Sequence, residues 1–348
     1  SIALYALIAY PDKSILPLEA AIKYLVLSGA ASATALFGFA LLYAATGTLG
    51  FADLGVALGS AEAGGGLLLT GAAMVVAGMA FKMSVVPFHL WTADVYQGAP
   101  APITGYLASV SKAAVFMALW RLFVEADLFR YSILVEVVGL MAIFSMLGGN
   151  LLALLQTNLK RMLAFSSIAH VGYLLIVYMA VLHIGEHALA TEAAVYYLIA
   201  YTATTVAAFG LLTLISAEYS ETENVELQQV SGLFWRKPLL AGLLLVALLS
   251  LAGIPLTAGF IAKFYMVSAA VSGRNWVLLA SLVIGSGIGI YYYLRVVYYM
   301  SRRPEEHPQE IMTPDNWQVK ALSVALIAGV LLLGIVPQSL MEYLRSIL

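Results

Sequence analysis

Charged residues are scarce in this sequence, and cysteine is absent. Of the 348 residues, 17 are Lys or Arg and 19 are Asp or Glu. This is about 10% charged residues, where a soluble domain carries ~25%. With 62% hydrophobic residues and a mean hydropathy of +0.93, the chain has too little polar surface to cover a water-soluble globule. The sequence therefore predicts a protein whose solvent is lipid.

These absences exclude several kinds of chemistry. Without cysteine the chain cannot form disulfides, hold an iron–sulfur cluster through thiolates or build a cysteine-type zinc site. His183 and His187 have the spacing of a metal pair, but they fall in a short loop with only Glu186 as a third ligand, so no metal site is expected. A net charge of −2 without a basic tract argues against a nucleic-acid partner. The sequence also lacks a dinucleotide or phosphate-binding motif.

Long apolar stretches recur along the chain. A membrane-spanning helix needs ~20 mostly apolar residues, and nine stretches qualify: 20–46, 67–87, 102–123, 131–151, 156–181, 193–217, 238–272, 276–300 and 320–348. Residues 1–10 form half a span, so we expect the end of a helix that begins upstream, in a chain that lacks its N-terminal part. The stretch 238–272 is too long for one crossing and contains Gly253 and Pro255, which predicts a broken helix.

The distribution of basic residues between alternate loops tests this span count. Lys and Arg number seven in one set of loops against three in the other, a bias that supports nine crossings and an external C-terminus. The two sets are Lys13, Lys160, Arg161, Arg236, Lys237, Arg302 and Arg303 against Arg130, Arg274 and Arg345. The longest polar segment, residues 218–237, carries four glutamates and is expected to be a solvated cytoplasmic linker.

Three lysines lie deep within apolar stretches, where each costs on the order of 2.5–3.5 kcal/mol. Lys82 lies five residues before Pro87, which should loosen the helix just beyond it. Lys112 follows Pro102 by ten residues, about 15 Å into a continuous helix. Lys263 follows the Gly253 break. Lysines beside interrupted helices are typical of an ion pathway, whereas a structural role for all three is the less favoured alternative.

Two histidines and a fourth lysine are further candidates. His170 lies four residues after Ser166 and three before Tyr173, so the three share a helical face that either passes protons or joins helices by hydrogen bonds. Lys160 is either a relay member or a topology anchor near a helix start. His89 either links the Lys82 region to solvent or caps the broken turn.

Three segments carry a specific resemblance to a known family. They are residues 81–102 (FKMSVVPFHLWTADVYQGAPAP), 155–170 (LQTNLKRMLAFSSIAH) and 251–265 (LAGIPLTAGFIAKFY). They resemble, in the same order, the antiporter-like N subunits of bacterial proton-translocating NADH:quinone oxidoreductase, or respiratory complex I, the counterparts of mitochondrial chain 2. The resemblance covers essentially the whole chain. The sister M subunits differ in having glutamate where Lys263 stands, and the L subunits carry a long lateral helix.

The resemblance implies an all-α, polytopic bundle with two inverted five-helix repeats and broken helices seven and twelve. The first repeat would be incomplete here, with residues 1–123 its remainder, 131–300 the second repeat and 320–348 a C-terminal helix. The family lysines of helices seven, eight, ten and twelve fall on Lys82, Lys112, Lys160 and Lys263. The glutamate that pairs with the first of these in the family would lie just upstream of Ser1.

By the same resemblance, the chain would translocate protons through these lysines, with His170 and His89 as further relay candidates. Electron transfer from NADH to quinone in other subunits would drive it, so NADH, FMN, iron–sulfur clusters and quinone are expected in partner chains and no cofactor in this one. Expected partners are neighbouring antiporter-like and small membrane subunits in a bacterial inner membrane. Two alternatives stay open: a structural spacer whose buried charges merely pair, and a subunit of a cation/proton antiporter or membrane-bound hydrogenase.

Overall fold

The chain is a bundle of helices. The structure, a computed structural model, describes residues 2–10, 15–59, 65–184, 187–219, 225–303 and 317–347. The α-helices of these residues are α1 Ile2–Ala9, α2 Ile15–Thr46, α3 Phe51–Gly59, α4 Gly66–Met83, α5 Trp91–Gly98, α6 Ala101–Ala108, α7 Val110–Glu125, α8 Ser132–Leu154, α9 Leu159–Leu174, α10 Ile176–Ile184, α11 His187–Tyr219, α12 Leu233–Arg236, α13 Pro238–Ala252, α14 Ala258–Ser272, α15 Trp276–Ser301, α16 Trp317–Ile335 and α17 Gln338–Ile347.

The membrane spans agree with the sequence prediction except at the C-terminal end. Among the described residues, eight stretches are long and apolar enough to cross a membrane, and α13 with α14 makes the expected broken crossing. The continuous span predicted over residues 320–348 is wrong. Helix α16 ends at Ile335, and α17 begins after Pro337, which lacks the N–H needed to continue a helix. Helix α17 is polar on one face, which suits the membrane interface.

Both predicted helix breaks are present. Helix α4 ends one residue beyond Lys82, and Ser84 then takes a left-handed conformation with φ 63°. Helix α13 ends at Ala252, where Gly253 is left-handed with φ 82°. A third break was not predicted. Ser109 interrupts the helix expected from Pro102, because its hydroxyl bonds the Gly105 carbonyl at 2.5 Å and its backbone departs from helical geometry. Lys112 therefore lies in the first turn of α7, within a single candidate crossing that runs from Ala101 to Glu125 as predicted.

The polar segment before α13 is packed against the bundle. The prediction of a solvated linker over 218–237 is wrong for residues 225–237, while 220–224 lie outside the described residues. The Leu159 amide donates to the Val225 carbonyl at 2.9 Å, and the Leu227 amide donates to the Thr157 carbonyl at 2.9 Å. The segment packs there because apolar side chains recur along it. They are buried and hold it against the bundle: Val225, Leu227, Val230 and Leu233.

Contacts between connecting segments show which helix ends lie together. At one end, the segment 225–237 meets the start of α9 and, through Trp235 Nε1 to the Ser301 carbonyl at 3.1 Å, the end of α15. At the other end, Arg130 donates to the Leu58 carbonyl at 2.9 Å, and Arg345 pairs with Glu192 at 3.0 Å. These pairings follow the alternation expected of successive crossings.

Helices α13 and α14 meet too closely for a side chain at Gly259. A Cβ built there would lie 1.8 Å from the Ser250 carbonyl oxygen. The Ser250 hydroxyl accepts the Gly259 amide hydrogen at 3.2 Å, so the two halves of the broken helix are joined at this point.

We predict that Gly259→Ala destabilises the protein by about 1–3 kcal/mol, because the added methyl group must push the two half-helices apart. Gly242→Ala in α13 is the matched control, since a Cβ there meets nothing within 4 Å, and it should change stability by less than ~1 kcal/mol. Thermal unfolding of the purified protein measures both. Equal melting temperatures for the two variants would contradict this account of the contact.

Candidate functional site

Lys112 is enclosed by hydroxyl groups and an aromatic ring. Its side chain is 2% exposed, and its Nζ donates to Ser167 Oγ of α9 at 2.6 Å. The Tyr201 hydroxyl of α11 donates to the same oxygen at 2.8 Å. The Lys112 Nζ also lies 5.7 Å from the centre of the Tyr96 ring, close enough for a cation–π contact. The buried ammonium is therefore solvated by groups from α9 and α5, and Tyr201 of α11 reaches it only through Ser167.

His170 lies at the centre of a second group of hydroxyls. Its Nδ1 is 2.7 Å from the Tyr197 hydroxyl, and its Nε2 is 3.4 Å from the Tyr293 hydroxyl. The Tyr293 hydroxyl also contacts Ser166. The shared face predicted for Ser166, His170 and Tyr173 is confirmed, because the His170 and Tyr173 rings meet edge to face at 5.6 Å.

Lys263 lies at the second helix break, in the second turn of α14. Its side chain is 8% exposed, and its Nζ donates to the Ala252 carbonyl at 2.8 Å. This carbonyl belongs to the last turn of α13, the partially negative end of that half-helix. The Nζ lies 5.2 Å from the centre of the Tyr173 ring. Gly253 packs against the lysine stem, since a Cβ there would approach Lys263 Cδ to 2.7 Å.

One small void lies beside Lys112, and a second lies beside the start of α14. Both are lined by His170, Tyr197 and Tyr201. The first also borders Lys112 and Met83, and the second borders Thr204, Ser250 and Gly259. Each is wide enough for about one water molecule. His170 and the two tyrosines thus form the wall between the voids.

A buried network that the sequence analysis missed joins α8, α9 and α15. The Asn150 Nδ2 donates to the Tyr173 hydroxyl at 2.7 Å and to the Met146 carbonyl at 2.6 Å. The Tyr292 hydroxyl donates to Asn150 Oδ1 at 3.0 Å. This network fixes the ring that faces Lys263. Serines, tyrosines and asparagines are ordinary residues in apolar helices, so the sequence offered no signal that singled these out.

Lys160 lies at a different kind of site. It is 1% exposed, and its Nζ donates to the carbonyls of Ala99 at 2.7 Å and Gln97 at 3.3 Å. These carbonyls end α5, where a cation is favourable. Lys160 is the second residue of α9, so this buried cap ties the start of α9 to the end of α5.

Lys82 and His89 flank the first break. Lys82 lies in the last turn of α4 and is half-buried, and the next residue, Met83, lines the void that Lys112 borders. His89 lies in the turn before α5, and its buried Nδ1 makes no hydrogen bond with the residues that the structure describes.

The side chains of His183, His187 and His307 lie outside the described ones. No cluster of three metal-ligating side chains occurs within the described part of the chain.

A cluster of charges beside Lys160 also went unpredicted. Asp94 of α5 accepts from Lys23 of α2 at 2.8 Å and from Arg161 of α9 at 2.8 Å. Lys23 also pairs with Glu19 at 2.6 Å. Lys23 lies within α2 and not in a loop, so the comparison of loop charges does not include it. Asp94 carries no signal of its own beyond its place in the segment 81–102. The cluster joins three helices at one end of the bundle.

The sequence matches the family described as NADH:quinone oxidoreductase/Mrp antiporter, transmembrane, over residues 1–289. It is 48% identical over 350 residues to NADH-quinone oxidoreductase subunit N of Ectopseudomonas mendocina, covering 99% of this chain and 69% of the relative. It is 47% identical over 345 residues to the subunit N of Methylococcus capsulatus, covering 98% and 68% of the two chains.

Solved structures of the same fold are also similar. A chain of respiratory complex I from Thermus thermophilus with bound aureothin gives a TM-score of 0.81 at 35% identity, covering 97% of this chain and 71% of that one. A chain of the Mrp complex from Dietzia sp. gives a TM-score of 0.85 at 23% identity, covering 99% and 70%, a likeness of fold alone. The chain belongs to the family of antiporter-like membrane subunits described as NADH:quinone oxidoreductase/Mrp antiporter.

Proposed function

We propose that this chain is a proton-translocating membrane subunit of an NADH:quinone oxidoreductase and acts as the antiporter-like subunit N. The observation that carries the proposal is the buried sequence of groups from Lys112 through Ser167 and Tyr201 to His170, with one void beside Lys112 and a second beside Ser250. Such groups accept and release protons over hydrogen-bond distances. The names of the relatives supply the complex in which this happens.

In this proposal Lys82 takes up the proton, Lys112 and Lys160 relay it, and Lys263 exchanges it with the far side. His170 connects the Lys112 region to the second void, and His89 is a further relay candidate at the first break. Moving a proton against 100 mV costs ~2.3 kcal/mol. Changing the environment of one buried ammonium is enough to supply that free energy, because each such charge costs a comparable amount to bury.

The driving chemistry is proposed to lie in partner subunits. The chain has no cysteine to ligate an iron–sulfur cluster, and we assign NADH, FMN, iron–sulfur clusters and quinone to other chains. The proposed neighbours are other antiporter-like and small membrane subunits. In this assembly the chain is part of an oxidoreductase without being its redox centre.

The proposed location is a bacterial inner membrane, with the C-terminus on the periplasmic side. The basic loops support this orientation, and so does the Arg345–Glu192 pair, which holds α17 at the end of the bundle opposite Arg236 and Arg302. We also propose that residues 1–123 and 131–300 are inverted repeats, since each contains a helix broken beside a lysine.

A subunit of a cation/proton antiporter is the second candidate, favoured by the shared fold of the Mrp chain. It predicts sodium-dependent proton flux in liposomes that contain no redox partner. The first proposal predicts flux that requires NADH and quinone.

We predict that Lys112→Met and Lys263→Met each reduce proton pumping by the assembled complex about tenfold or more, because a titrating group leaves the path. Lys112→Arg should also fail, since a guanidinium keeps its proton at physiological pH. The measurement is the number of protons moved per NADH oxidised in proteoliposomes.

The exposed Lys237 provides the matched control as Lys237→Met, which should pump normally. A spacer role predicts instead that Lys112→Arg keeps full pumping, since the charge is preserved. Normal proton-to-electron ratios in both methionine variants would refute the proposed path.

The orientation can be tested because the chain has no cysteine. Ser346→Cys and Ser301→Cys replace exposed serines at opposite ends of the bundle. We expect a membrane-impermeant maleimide to label Ser346→Cys in intact cells and Ser301→Cys only in inverted vesicles. The reverse pattern would place the C-terminus in the cytoplasm.

A further inference from the structure

We propose that Ser167 is the junction through which protons leave Lys112, and that the Tyr201 hydroxyl opens and closes it. The proposal rests on the proposed proton-translocating function and deepens it. It concerns hydroxyl groups that the sequence analysis did not single out.

Ser167 Oγ receives two hydrogen bonds in the structure. One comes from Lys112 Nζ at 2.6 Å and the other from the Tyr201 hydroxyl at 2.8 Å. A hydroxyl oxygen has two acceptor positions, so both are occupied by donors. Ser167 must then point its own hydrogen elsewhere, and the buried Tyr96 hydroxyl lies beside it. With Tyr201 donating inward, a proton cannot pass from Ser167 to Tyr201. The observed arrangement is the closed state.

Tyr201 has a second acceptor within reach. Thr205 lies one helical turn further along α11, beside Tyr201. Its buried Oγ1 has no hydrogen-bond partner in the ranges that the structure describes, so it can accept the Tyr201 hydrogen. If the Tyr201 hydroxyl turns its hydrogen toward Thr205, the Tyr201 oxygen becomes an acceptor for Ser167. The Ser167 hydrogen then turns to Tyr201, so the two states differ only in the directions of two O–H bonds.

In the open state, proton transfer is balanced at every atom. An N–H bond of the Lys112 ammonium breaks as a new O–H bond forms on Ser167. The Tyr201 hydrogen first turns from Thr205 to a water in the void that Tyr201 shares with Ser250. The original Ser167 proton then moves to the Tyr201 oxygen as the original Tyr201 proton leaves to that water. Lys112 ends neutral, both hydroxyls end as they began, and the proton is on the His170 side. The Tyr201 hydrogen now points to Ser167, which is the direction in which a proton could return, and turning it back to Thr205 prevents that return.

The test uses three variants in the complete complex. Ser167→Ala removes the junction, Tyr201→Phe removes the moving hydroxyl but keeps the ring that packs on His170 at 5.1 Å, and Thr205→Val removes the second acceptor at nearly constant volume. We expect each to lower the proton-translocation rate about tenfold or more. Ser167→Thr, which restores a hydroxyl, should recover pumping. In Thr205→Val the solvent deuterium isotope effect on pumping should rise, because turning the Tyr201 hydroxyl becomes limiting.

Two variants control for the loss of a buried hydroxyl. Tyr178→Phe removes a buried hydroxyl that is unpaired among the described residues, and Ser281→Ala removes a buried serine that bonds only within its own helix by the contact given, to Val277 at 2.8 Å. Both should pump normally. If Ser167→Ala fails to assemble, Tyr201→Phe and Thr205→Val decide the question.

The junction is overturned if Lys112→Met stops pumping while Tyr201→Phe and Thr205→Val pump at the wild-type rate. Normal pumping by Lys112→Met would instead refute the proposed function itself. The two failures are therefore distinguishable in the same assay.

Discussion

A positive charge inside an apolar bundle must be solvated by the protein, and this constraint shapes the structure described above. Lys112 donates to a serine hydroxyl, while Lys160 and Lys263 donate to carbonyls at the ends of α5 and α13. The last carbonyls of a helix have no partner within that helix, so a helix that ends within the bundle can offer them to a cation. Helices that end inside the bundle thus stabilise the buried ammonium groups of Lys160 and Lys263. Gly253 serves both purposes, because its left-handed conformation ends α13 and its lack of a side chain admits the lysine stem.

The two breaks use their lysines differently. Lys82 precedes its break, in the last turn of α4, whereas Lys263 follows its break, in the second turn of α14. Lys263 therefore reaches back to the end of the preceding half-helix. Between them, α9 contributes Ser166, Ser167 and His170, all buried, and is the helix to which the hydroxyls of α11 and α15 converge. The polar centre of the protein is organised around this one helix.

Much of the fold could be predicted from sequence because its signals are local. The length of the apolar stretches predicted the membrane spans, and proline or glycine near Lys82 and Lys263 predicted the helix breaks. The errors occurred where local signals were weak or conflicting: Ser109 interrupts a helix that composition favours, Pro337 divides the last apolar stretch, and residues 225–237 are polar in composition yet anchored by a few apolar side chains. The lysines stood out because charge is rare in this chain. The hydroxyl network did not, since Ser167 and Tyr201 are 34 residues apart and Ser166 and Tyr293 are 127 apart, and a contact at such separation leaves no trace in a single sequence.

The short helix α5 has a mechanical consequence. It is held on one side by Lys23 of α2 and on the other by Arg161 of α9, both through Asp94, and its last carbonyls are bound by Lys160. Gly98 brings its backbone against α2 so closely that a Cβ would lie 2.7 Å from the Leu16 carbonyl oxygen. Asp94 therefore joins α2, α5 and α9 through one carboxylate. Helix α4 also packs on α2, so closely that a Cβ on Gly78 would lie 2.7 Å from the Ala31 carbonyl oxygen. Helix α2 is thus the common support of the two helices that flank the first break, and the turn between Met83 and Trp91 connects two elements seated on the same helix.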